Sequence, residues 1–357
     1  MKILFILPGV GKYTPGGGVK LVLEYANRIA QAGHHVTIAF PKYLNSSISQ
    51  SKEIYARFKL RFSKPQKPVW FHLNKSVNFL RVPTLKEKYI PDADVVIATA
   101  WETAVFVNQY SAQKGRKYYL FMHYERLPNT VHSENIDHFT FKLPLQKIVI
   151  SSCLQQTLKE RYSEESILLP TAVSHEHYYI EASVIQDKDH RICMFYNSAV
   201  WKGSPDGFKA FNSVKSQHRH LKLIVIGNQS KENPNKGIIT EYYFRPSDEM
   251  LRKIFNSCSI FLSPNLLEGF GLPAAEAMAC GCALVTVDSC GCRDYAIHNK
   301  TALVSLPGDI GALSNHVKML LDNPDLRNTL SKNGYNLIRQ FSLDKSAQRL
   351  LEILSDD

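Results

Sequence analysis

Residues 263–281 read Ser-Pro-Asn-Leu-Leu-Glu-Gly-Phe-Gly-Leu-Pro-Ala-Ala-Glu-Ala-Met-Ala-Cys-Gly, and this stretch decides the fold of the chain. The apolar run 260–262 precedes it and predicts a buried strand. Behind it, Pro273 suits the first turn of a helix, the alanine-rich residues 274–279 favour helix, and Gly281 predicts the end of that helix. We therefore expect a strand, a glycine loop and a helix.

The predicted loop carries groups suited to a phosphorylated sugar. The amides of Gly269, Phe270 and Gly271 would open onto a helix N-terminus, where unpaired N–H groups and the helix dipole favour a phosphate or a sugar oxygen. Glu268 precedes the loop and Glu276 lies about one turn into the helix, so both carboxylates are expected to face one pocket. Carboxylates only accept hydrogen bonds, and sugars offer many donors. Alternatively, the two glutamates simply cap a helix that packs against a glycine turn.

Glu268 and Glu276, with Gly-Phe-Gly-Leu-Pro between them, resemble the acidic motif of retaining glycosyltransferases of family 4, which have the GT-B fold. The resemblance is to members that make bacterial polysaccharides and other glycans. It implies that Glu268 contacts the donor sugar and that Glu276 binds the ribose of the nucleotide. The residues that it assigns to the donor sugar and phosphate, through their amides, are Gly269, Phe270, Gly271 and Leu272.

The size and composition of the chain indicate a globular protein of two domains. Its 357 residues exceed the usual size of one hydrophobic core. No apolar run approaches the roughly 18 residues of a membrane span, and the N-terminus lacks the pattern of a signal peptide. The seven cysteines are an odd number, which has no complete pairing. We therefore expect a cytoplasmic protein. In the runs Cys280-Gly-Cys282 and Cys290-Gly-Cys292 we expect small buried residues rather than a metal site or disulfides.

The N-terminal segment predicts a second strand, glycine loop and helix. An apolar strand over residues 2–7 leads to Gly17 and Gly18, and helical spacing follows from Val19 to Ala30. These glycines would let backbone amides approach a phosphate closely. Their spacing is neither G-x-G-x-x-G nor a Walker loop. The resemblance to family 4 implies that they line the donor cleft, and a purely structural tight turn is the alternative.

Positive charge is concentrated in the N-terminal half. The net charge is +11, and residues 1–170 account for the whole excess. Residues 52–88 carry ten basic side chains against two acidic ones, interleaved with aromatic residues. Such a stretch suits an anionic membrane surface or a pyrophosphate-linked acceptor. Nucleic acid is a third possibility that we do not expect, and a solvated sheet edge with buried aromatics is the structural alternative.

A strand-end histidine is a further candidate. Residues 117–123 form an apolar run that ends in His123. His123 resembles the histidine that family 4 members point at the donor sugar, and Tyr124 and Glu125 complete a run found in some polysaccharide glycosyltransferases. A hydrogen-bonded rim residue is the alternative. After Pro170, residues 171–178 lie where the family has the linker between its domains.

The second half opens on a predicted phosphate site. The apolar strand 191–196 is followed by Asn197, Ser198 and then Lys202. Lys202 resembles the lysine that neutralises the pyrophosphate of the donor, a role suited to a compact ammonium group. Asn197 and Ser198 stand where many members of the family have a Gly-Arg pair, so one positive charge is absent. Arg245 or Arg293 is a candidate to replace it.

The sequence thus predicts an α/β protein of the GT-B fold, with two Rossmann-like domains facing across a cleft. Residues 1–170 would bind the acceptor, residues 171–340 the nucleotide sugar, and residues 341–357 would form a helix returning to the first domain. The predicted activity is retaining transfer of a hexosyl group from a nucleotide-diphosphate-sugar, such as a UDP-sugar, to a hydroxyl of a glycan or lipid-linked glycan. We predict no cofactor, because we identify no Asp-x-Asp motif of the kind that metal-dependent glycosyltransferases use.

The catalytic candidates are His123, Lys202 and Glu268. We expect the protein in the cytoplasm, with possible contact between residues 52–88 and the inner face of the membrane. Two other classes stay open, namely a nucleotide-sugar epimerase and a non-catalytic glycosyltransferase-like partner subunit. A dehydrogenase is disfavoured because G-x-G-x-x-G is absent.

Overall fold

The computed structural model describes residues 1–12, 16–44, 48–62, 67–123, 139–181, 188–228 and 237–356. The chain divides into two compact units. The first comprises Met1–Pro170 together with Leu343–Asp357, and the second comprises Thr171–Ser342.

Parallel strands build the sheet of the first unit. They are β1 (Lys2–Ile6), β2 (His35–Pro41), β3 (Asn78–Val82), β4 (Val95–Ala98), β5 (Arg116–Phe121), β6 (Gln146–Val149) and β7 (Ile167–Leu168). Their order across the sheet is β3-β2-β1-β4-β5-β6-β7. Every residue of β4 is buried. Such continuous apolar strands are typical of a parallel sheet covered on both faces.

Helices connect these strands. They are α1 (Gly17–Gln31), α2 (Gln50–Arg61), α3 (Trp101–Gln109) and α4 (Ser152–Tyr162). α1 buries a stripe of apolar side chains that includes Leu21, Val22 and Ile29. α2 differs, because only Glu53 and Ala56 of its residues are buried.

The second unit repeats the architecture. Its strands are β8 (Arg191–Tyr196), β9 (Lys222–Gly227), β10 (Glu241–Phe244), β11 (Ile260–Ser263), β12 (Ala283–Val287) and β13 (Ala302–Ser305). Its helices are α5 (Ser204–Lys215), α6 (Asp248–Asn256), α7 (Leu272–Ala279), α8 (Ile310–Asp322) and α9 (Pro324–Ile338). The order of the sheet is β10-β9-β8-β11-β12-β13, and the strands are parallel.

Each sheet contains a point where the strand order reverses. In the first unit this point lies between β1 and β4, and in the second it lies between β8 and β11. Loops that leave neighbouring strands in opposite directions open a crevice at the carboxyl ends of such strands, and ligands of α/β proteins bind there. The prediction of two Rossmann-like parallel sheets is confirmed.

The last helix, α10 (Leu343–Ser355), belongs to the first unit. It packs against α1, where the hydroxyls of Tyr25 and Ser346 lie 2.7 Å apart. Beside them, Nε of Arg28 donates to a carboxylate oxygen of Asp344 at 2.7 Å. The end of the chain therefore completes the unit with which the chain begins.

One predicted strand is shorter in the structure than in the sequence. Residues 238–244 form an extended run in the sequence, a pattern that predicts a strand of that length, whereas β10 begins at Glu241. Ile238 and Ile239 instead pack against the core of the second unit as partly buried side chains outside the strand. Their apolar character reflects this packing rather than sheet pairing.

Candidate functional site

Two neighbouring strands of the second unit carry the predicted donor residues. β8 leads into Asn197 and Lys202, and β11 leads into Glu268 and the glycine loop. Because β8 and β11 flank the reversal of the sheet, both segments leave from the same crevice. The topology thus brings together residues that are 66 positions apart in the sequence.

An ion pair forms the centre of this group. Nζ of Lys202 lies 2.6 Å from Oε1 of Glu268, and their side chains are 27% and 13% exposed. The side-chain amide of Asn265 donates to the same oxygen at 2.7 Å. Among the residues that the structure describes, no group donates to Oε2 of Glu268. This carboxylate is therefore fixed through one oxygen, and the other can accept a hydrogen bond from a ligand.

A glycine explains why the lysine lies in a tight turn. Gly203 ends the turn Val200–Lys202 with a φ of +57°. A Cβ added at Gly203 would lie 2.0 Å from the carbonyl oxygen of Pro264. In addition, the amide of Leu266 donates to the carbonyl of Trp201 at 2.8 Å. These contacts hold the turn against the segment that carries Glu268, and they set the position of Lys202.

The glycine loop presents backbone donors in front of a helix. Gly271 is the N-cap of α7 and has a φ of +89°, a conformation that favours glycine. In the described part of the chain, nothing accepts a hydrogen bond from the amides of Gly269, Phe270 or Gly271. All three residues are nevertheless buried. Buried amides without an acceptor are rare, so this loop suits a ligand with acceptor oxygens.

The loop is supported from behind by the segment after β12. A Cβ at Gly291 would lie 2.3 Å from the carbonyl carbon of Gly269 and 2.5 Å from the amide nitrogen of Phe270. Backbone hydrogen bonds join the segments as well, from Glu268 to Ser289 at 3.0 Å and from Gly291 to Glu268 at 3.1 Å. Only a glycine at position 291 permits this approach without a shift of the backbone.

Tyr295 fixes the far end of the loop. Its hydroxyl donates to the carbonyl of Gly271 at 2.9 Å, and its ring packs 5.0 Å from that of Phe270. The side chain is fully buried, and this burial raises the pKa of the phenol. The hydroxyl consequently stays protonated and remains a hydrogen-bond donor at neutral pH.

Glu276 lies on α7, where it is 8% exposed. The buried hydroxyl of Tyr178 donates to Asp248 at 2.8 Å. Burial raises the pKa of Tyr178, and the nearby carboxylates of Glu276 and Asp248 raise it further. Glu276 therefore belongs to a buried polar group at α7, while the carboxylate of Glu268 lies in the loop ahead of it.

Asn197 shapes the turn that follows β8. Its Oδ1 accepts from the amide of Ala199 at 2.9 Å, and its backbone exchanges hydrogen bonds with the hydroxyl of Ser204. Ser198 lies between these residues. Arg293 binds Asp288 through two contacts of 2.8 Å, and the guanidinium holds the pKa of that carboxyl below its usual range. Arg245 donates to the carbonyl of Asn228 at 3.0 Å.

The first unit carries the remaining candidates. Gly17 and Gly18 are the first residues of α1, which follows β1. A Cβ at Gly18 would lie 3.1 Å from the side chain of Met122, which precedes the half-buried His123 after β5. The start of α1 and the end of β5 therefore lie together at the carboxyl edge of this sheet. Tyr124 and Glu125 lie outside the described residues.

The described residues contain no group of three or more His, Cys, Asp or Glu placed to hold a metal ion. Five cysteines are buried free thiols, namely Cys193, Cys258, Cys280, Cys282 and Cys292. Cys290 is disulfide-bonded, so the expectation that the Cys-Gly-Cys runs hold no disulfide is wrong at this position. Burial raises the pKa of the Cys280 thiol, which disfavours the reactive thiolate. Within the described ranges, no helix has the length and apolar character needed to cross a membrane.

Sequence reasoning missed three residues that support the site. Asn265 lies inside the deciding stretch, and its amide beside a candidate carboxylate was the available signal. Gly291 belongs to a Cys-Gly-Cys run that gives no sign of the close contact with Gly269. Tyr295 carries no local signal either, because its partner Gly271 is remote in sequence and the contact depends on the path of the chain after β12.

Comparisons with known proteins find that part of the second unit is similar to a known family of domains. The family model described as "Glycosyl transferases group 1" matches residues 179–337. A similar curated protein is the N,N'-diacetylbacillosaminyl-diphospho-undecaprenol alpha-1,3-N-acetylgalactosaminyltransferase of Campylobacter jejuni, which is 26% identical over 45% of this chain and 44% of its own length. The chain spans 60%, 37% and 44% of the length of the first three curated relatives that it matches.

Solved structures show the fold. Sucrose-phosphate synthase from Thermosynechococcus elongatus superimposes with a TM-score of 0.75 at 17% identity, covering 99% of this chain and 98% of that protein. HepE from Anabaena, in complex with UDP-glucose, gives a TM-score of 0.73 at 13% identity and covers 99% of both chains. Together with the two parallel sheets, these similarities confirm the GT-B fold predicted from the sequence.

Proposed function

We propose that this protein is a retaining glycosyltransferase that moves a hexosyl group from a nucleotide-diphosphate-sugar to a hydroxyl of a glycan or lipid-linked glycan. The match of residues 179–337 and the GT-B fold support a glycosyltransferase. One observation carries the proposal furthest, namely three buried amides without acceptors beside the ion pair of Lys202 and Glu268. This arrangement offers positive charge and hydrogen-bond donors to a diphosphate, and a carboxylate to the hydroxyls of a sugar.

Stabilising the leaving diphosphate would be the main task of the site. As the bond between the anomeric carbon and the diphosphate oxygen breaks, negative charge grows on the phosphate. Lys202 and the amides of residues 269–272 would stabilise that negative charge, and the positive end of the α7 dipole would stabilise it further. These donors are already fixed by Pro264, Gly291 and Tyr295, so little reorganisation is needed. Because the protein supplies the charge itself, we propose that transfer requires no metal.

The two glutamates would bind the uncharged parts of the donor. The open Oε2 of Glu268 would accept a hydrogen bond from a sugar hydroxyl while Oε1 stays with Lys202. Glu276 would bind the ribose, as the family resemblance implies. The turn of Asn197 and Ser198, beside Lys202, would add contacts to the phosphates.

The first unit would supply the acceptor and complete the donor contacts. Gly17, Gly18 and His123 lie at the carboxyl edge of its sheet, and we propose that His123 contacts the transferred sugar. The acceptor oxygen would bond to the anomeric carbon on the face that the diphosphate leaves, and its proton would pass to the departing phosphate. This course preserves the anomeric configuration.

The relatives narrow the proposed substrates. The name of the Campylobacter jejuni relative specifies a sugar on diphospho-undecaprenol as acceptor, and HepE was solved with UDP-glucose. We therefore propose a UDP-sugar as donor and a lipid-linked or growing glycan as acceptor, in the synthesis of cell-surface polysaccharide or glycoconjugate. Such an enzyme would work in the cytoplasm, at the inner face of the membrane.

Donor binding and turnover test the proposal. The purified protein is screened by thermal shift against nucleoside diphosphates and nucleotide sugars, with EDTA and then with magnesium. Hits are assayed for transfer to an undecaprenyl-diphosphate-linked sugar, and the anomeric configuration of the product is read by NMR. We expect stabilisation by one nucleoside diphosphate in EDTA and a product with the configuration of the donor.

Lys202→Ala is the decisive variant. We expect it to weaken the thermal shift and to lower transfer about 100-fold or more, because a charge at the leaving group is lost. Lys253→Ala is the matched control, since Lys253 pairs with Glu249 at 2.8 Å on an exposed helix face. Donor binding without transfer to any acceptor tested would instead identify a non-catalytic partner subunit. Conversion of the donor to its epimer would identify an epimerase.

A further inference from the structure

Helix α2 exposes apolar side chains that a globular domain normally buries. Ile54, Tyr55 and Phe58 are 60%, 59% and 65% exposed, and the C-cap residue Phe62 is 74% exposed. The rings of Phe58 and Phe62 pack edge to face at 5.2 Å, so the surface is continuous. We call these four residues the apolar stripe. The structural alternative, in which the aromatic residues of this stretch are buried, does not hold for α2, although Phe79 on β3 is buried.

The positions of these residues follow from helix geometry. Successive residues are about 100° apart around an α-helix, so the apolar stripe occupies an arc of about 100°. The buried residues of α2 are Glu53 and Ala56, and they lie on the opposite side of the helix. The apolar stripe therefore lies on the side of α2 that faces away from the core of the first unit, and its side chains are mostly exposed.

Basic side chains border the apolar stripe on both sides. By the same geometry, Lys52 and Lys59 lie along one border and Arg57 and Arg61 along the other. All four are exposed. Lys42 adds a further charge, with its Nζ 5.3 Å from the ring of Tyr55. Apolar and aromatic residues between two rows of cations suit the boundary between lipid tails and anionic headgroups.

Glu53, the one acidic residue of α2, lies on the inner face of the helix and is therefore absent from the exposed surface. Glu53 accepts from Lys86 at 2.5 Å and from the hydroxyl of Tyr89 at 2.8 Å, and it pairs with Lys88 at 2.7 Å. The ten basic residues of the stretch 52–88 therefore do not form one patch, because Lys86 and Lys88 form ion pairs with Glu53. The charged side chains that remain outside on α2 are therefore all cationic.

We propose that α2 docks the protein on an anionic lipid bilayer, with the apolar stripe inserted at the headgroup level and the basic borders against lipid phosphates. Charge complementarity favours this occupant. A protein partner would need acidic residues around an apolar groove, and nucleic acid would use the cations but leave Ile54 and Phe62 in water. The docking does not depend on the proposed transferase activity, because it concerns binding to lipid alone.

Vesicle co-sedimentation without nucleotide tests the proposal. The full chain is mixed with vesicles of phosphatidylglycerol and phosphatidylcholine in equal amounts, and with vesicles of phosphatidylcholine alone. We expect binding to the mixed vesicles that weakens as salt is raised. Phe58→Ser with Phe62→Ser, and separately Arg57→Gln with Arg61→Gln, should each weaken that binding about thirtyfold, since two interfacial contacts are lost.

Two control variants match these changes in the second unit. Met319→Ser alters an exposed apolar side chain, and Arg219→Gln with Lys332→Gln removes two exposed cations. Both should bind vesicles like the wild-type protein. All altered side chains are exposed, and circular dichroism checks that each variant folds.

Three outcomes would overturn the proposal. The first is no binding to anionic vesicles, and the second is equal binding by the apolar-stripe variant. The third is a different occupant of the α2 surface while vesicles stay unbound. This occupant would be a second copy of the chain, seen as a dimer in sedimentation velocity, or a labelled oligonucleotide. In either case the α2 variants would abolish the association. Donor binding by the α2 variants is measured in parallel, so that failure of docking and failure of the transferase proposal are told apart.

Discussion

Each unit of this protein holds a carboxylate against lysine, and the two clusters differ in how fully the carboxylate is bonded. In the first unit, Oε2 of Glu53 accepts from Lys86, while Oε1 contacts Lys88 and the hydroxyl of Tyr89. In the second unit, Oε1 of Glu268 takes both Lys202 and Asn265, and nothing described donates to Oε2.

The difference separates a structural cluster from a ligand site. Both oxygens of the Glu53 carboxylate have partners within the fold, so it needs no ligand. Lys86 and Lys88, which pair with it, anchor α2 to the Glu87–Tyr89 turn. A partly buried carboxylate with one open oxygen, beside amides without acceptors, is completed only by something from outside. Substitution should therefore reduce transfer at Glu268 and stability at Glu53.

The largest effect is expected from Glu268→Gln. The amide keeps the size of the side chain but removes the charge that fixes Lys202, so we expect transfer to fall about 100- to 1000-fold. The midpoint of thermal unfolding should change by only a few degrees, because the pair is partly exposed. Steady-state kinetics and calorimetry on the same sample measure both quantities. Near-normal transfer by this variant would show that Glu268 is not part of a ligand site.

Gly291→Ala should have an intermediate effect and would sharpen the comparison, because Glu268 depends on a backbone contact. The added methyl group would meet the backbone of Gly269 and Phe270, which cannot move as a side chain can. We expect a loss of about 1–3 kcal/mol in unfolding free energy and transfer reduced about tenfold or more. Gly237→Ala is the control, since a Cβ there meets nothing within 4 Å. Equal behaviour of the two variants would contradict the packing argument.

The smallest effect is expected from Glu53→Gln, and it should appear in stability. The two lysines and Tyr89 lower the pKa of Glu53 to about 2. A lowered pKa in the folded state adds stability above the ordinary carboxyl pKa, and that stability is lost as pH falls toward 2. Wild type should thus exceed the variant by about 1–2 kcal/mol near pH 6, after allowance for solvent screening of the lysines, and the gap should close near pH 2.

Urea unfolding across this pH range measures the gap for Glu53→Gln. Glu249→Gln, on an exposed face, is the control and should show little change in stability. A gap that stays constant with pH would mean that the ion pairs do not hold α2. Donor binding and transfer to a water-soluble acceptor should be unchanged in Glu53→Gln.

Local patterns predicted much of the fold. The apolar runs before Gly17 and before Glu268 gave two buried strands, and proline and glycine marked the bounds of α7, because these signals act within a few residues. The donor candidates from Glu268 to Glu276 were also predicted by pattern, since a strand, a glycine loop and a helix place them in one segment.

The rest required contacts between distant segments. The pairing of Lys202 with Glu268 depends on Gly203 meeting Pro264, and no local pattern encodes that approach. Whether the aromatic residues of α2 are buried or exposed was left open by the sequence for a related reason. Composition indicates that aromatic residues are present, but the side of α2 that faces inward is set by Glu53 and its lysines, which come from another part of the chain.

The place of α10 has a consequence for how the protein is made. Tyr25 on α1 meets Ser346 on α10, and the whole of Thr171–Ser342 lies between these helices in the chain. During translation the first unit cannot complete its core when its own sheet has emerged from the ribosome. It must hold the apolar surface that α10 will cover while the second unit is synthesised and folds. For this period the nascent first unit is a candidate client for chaperones that bind exposed apolar surface.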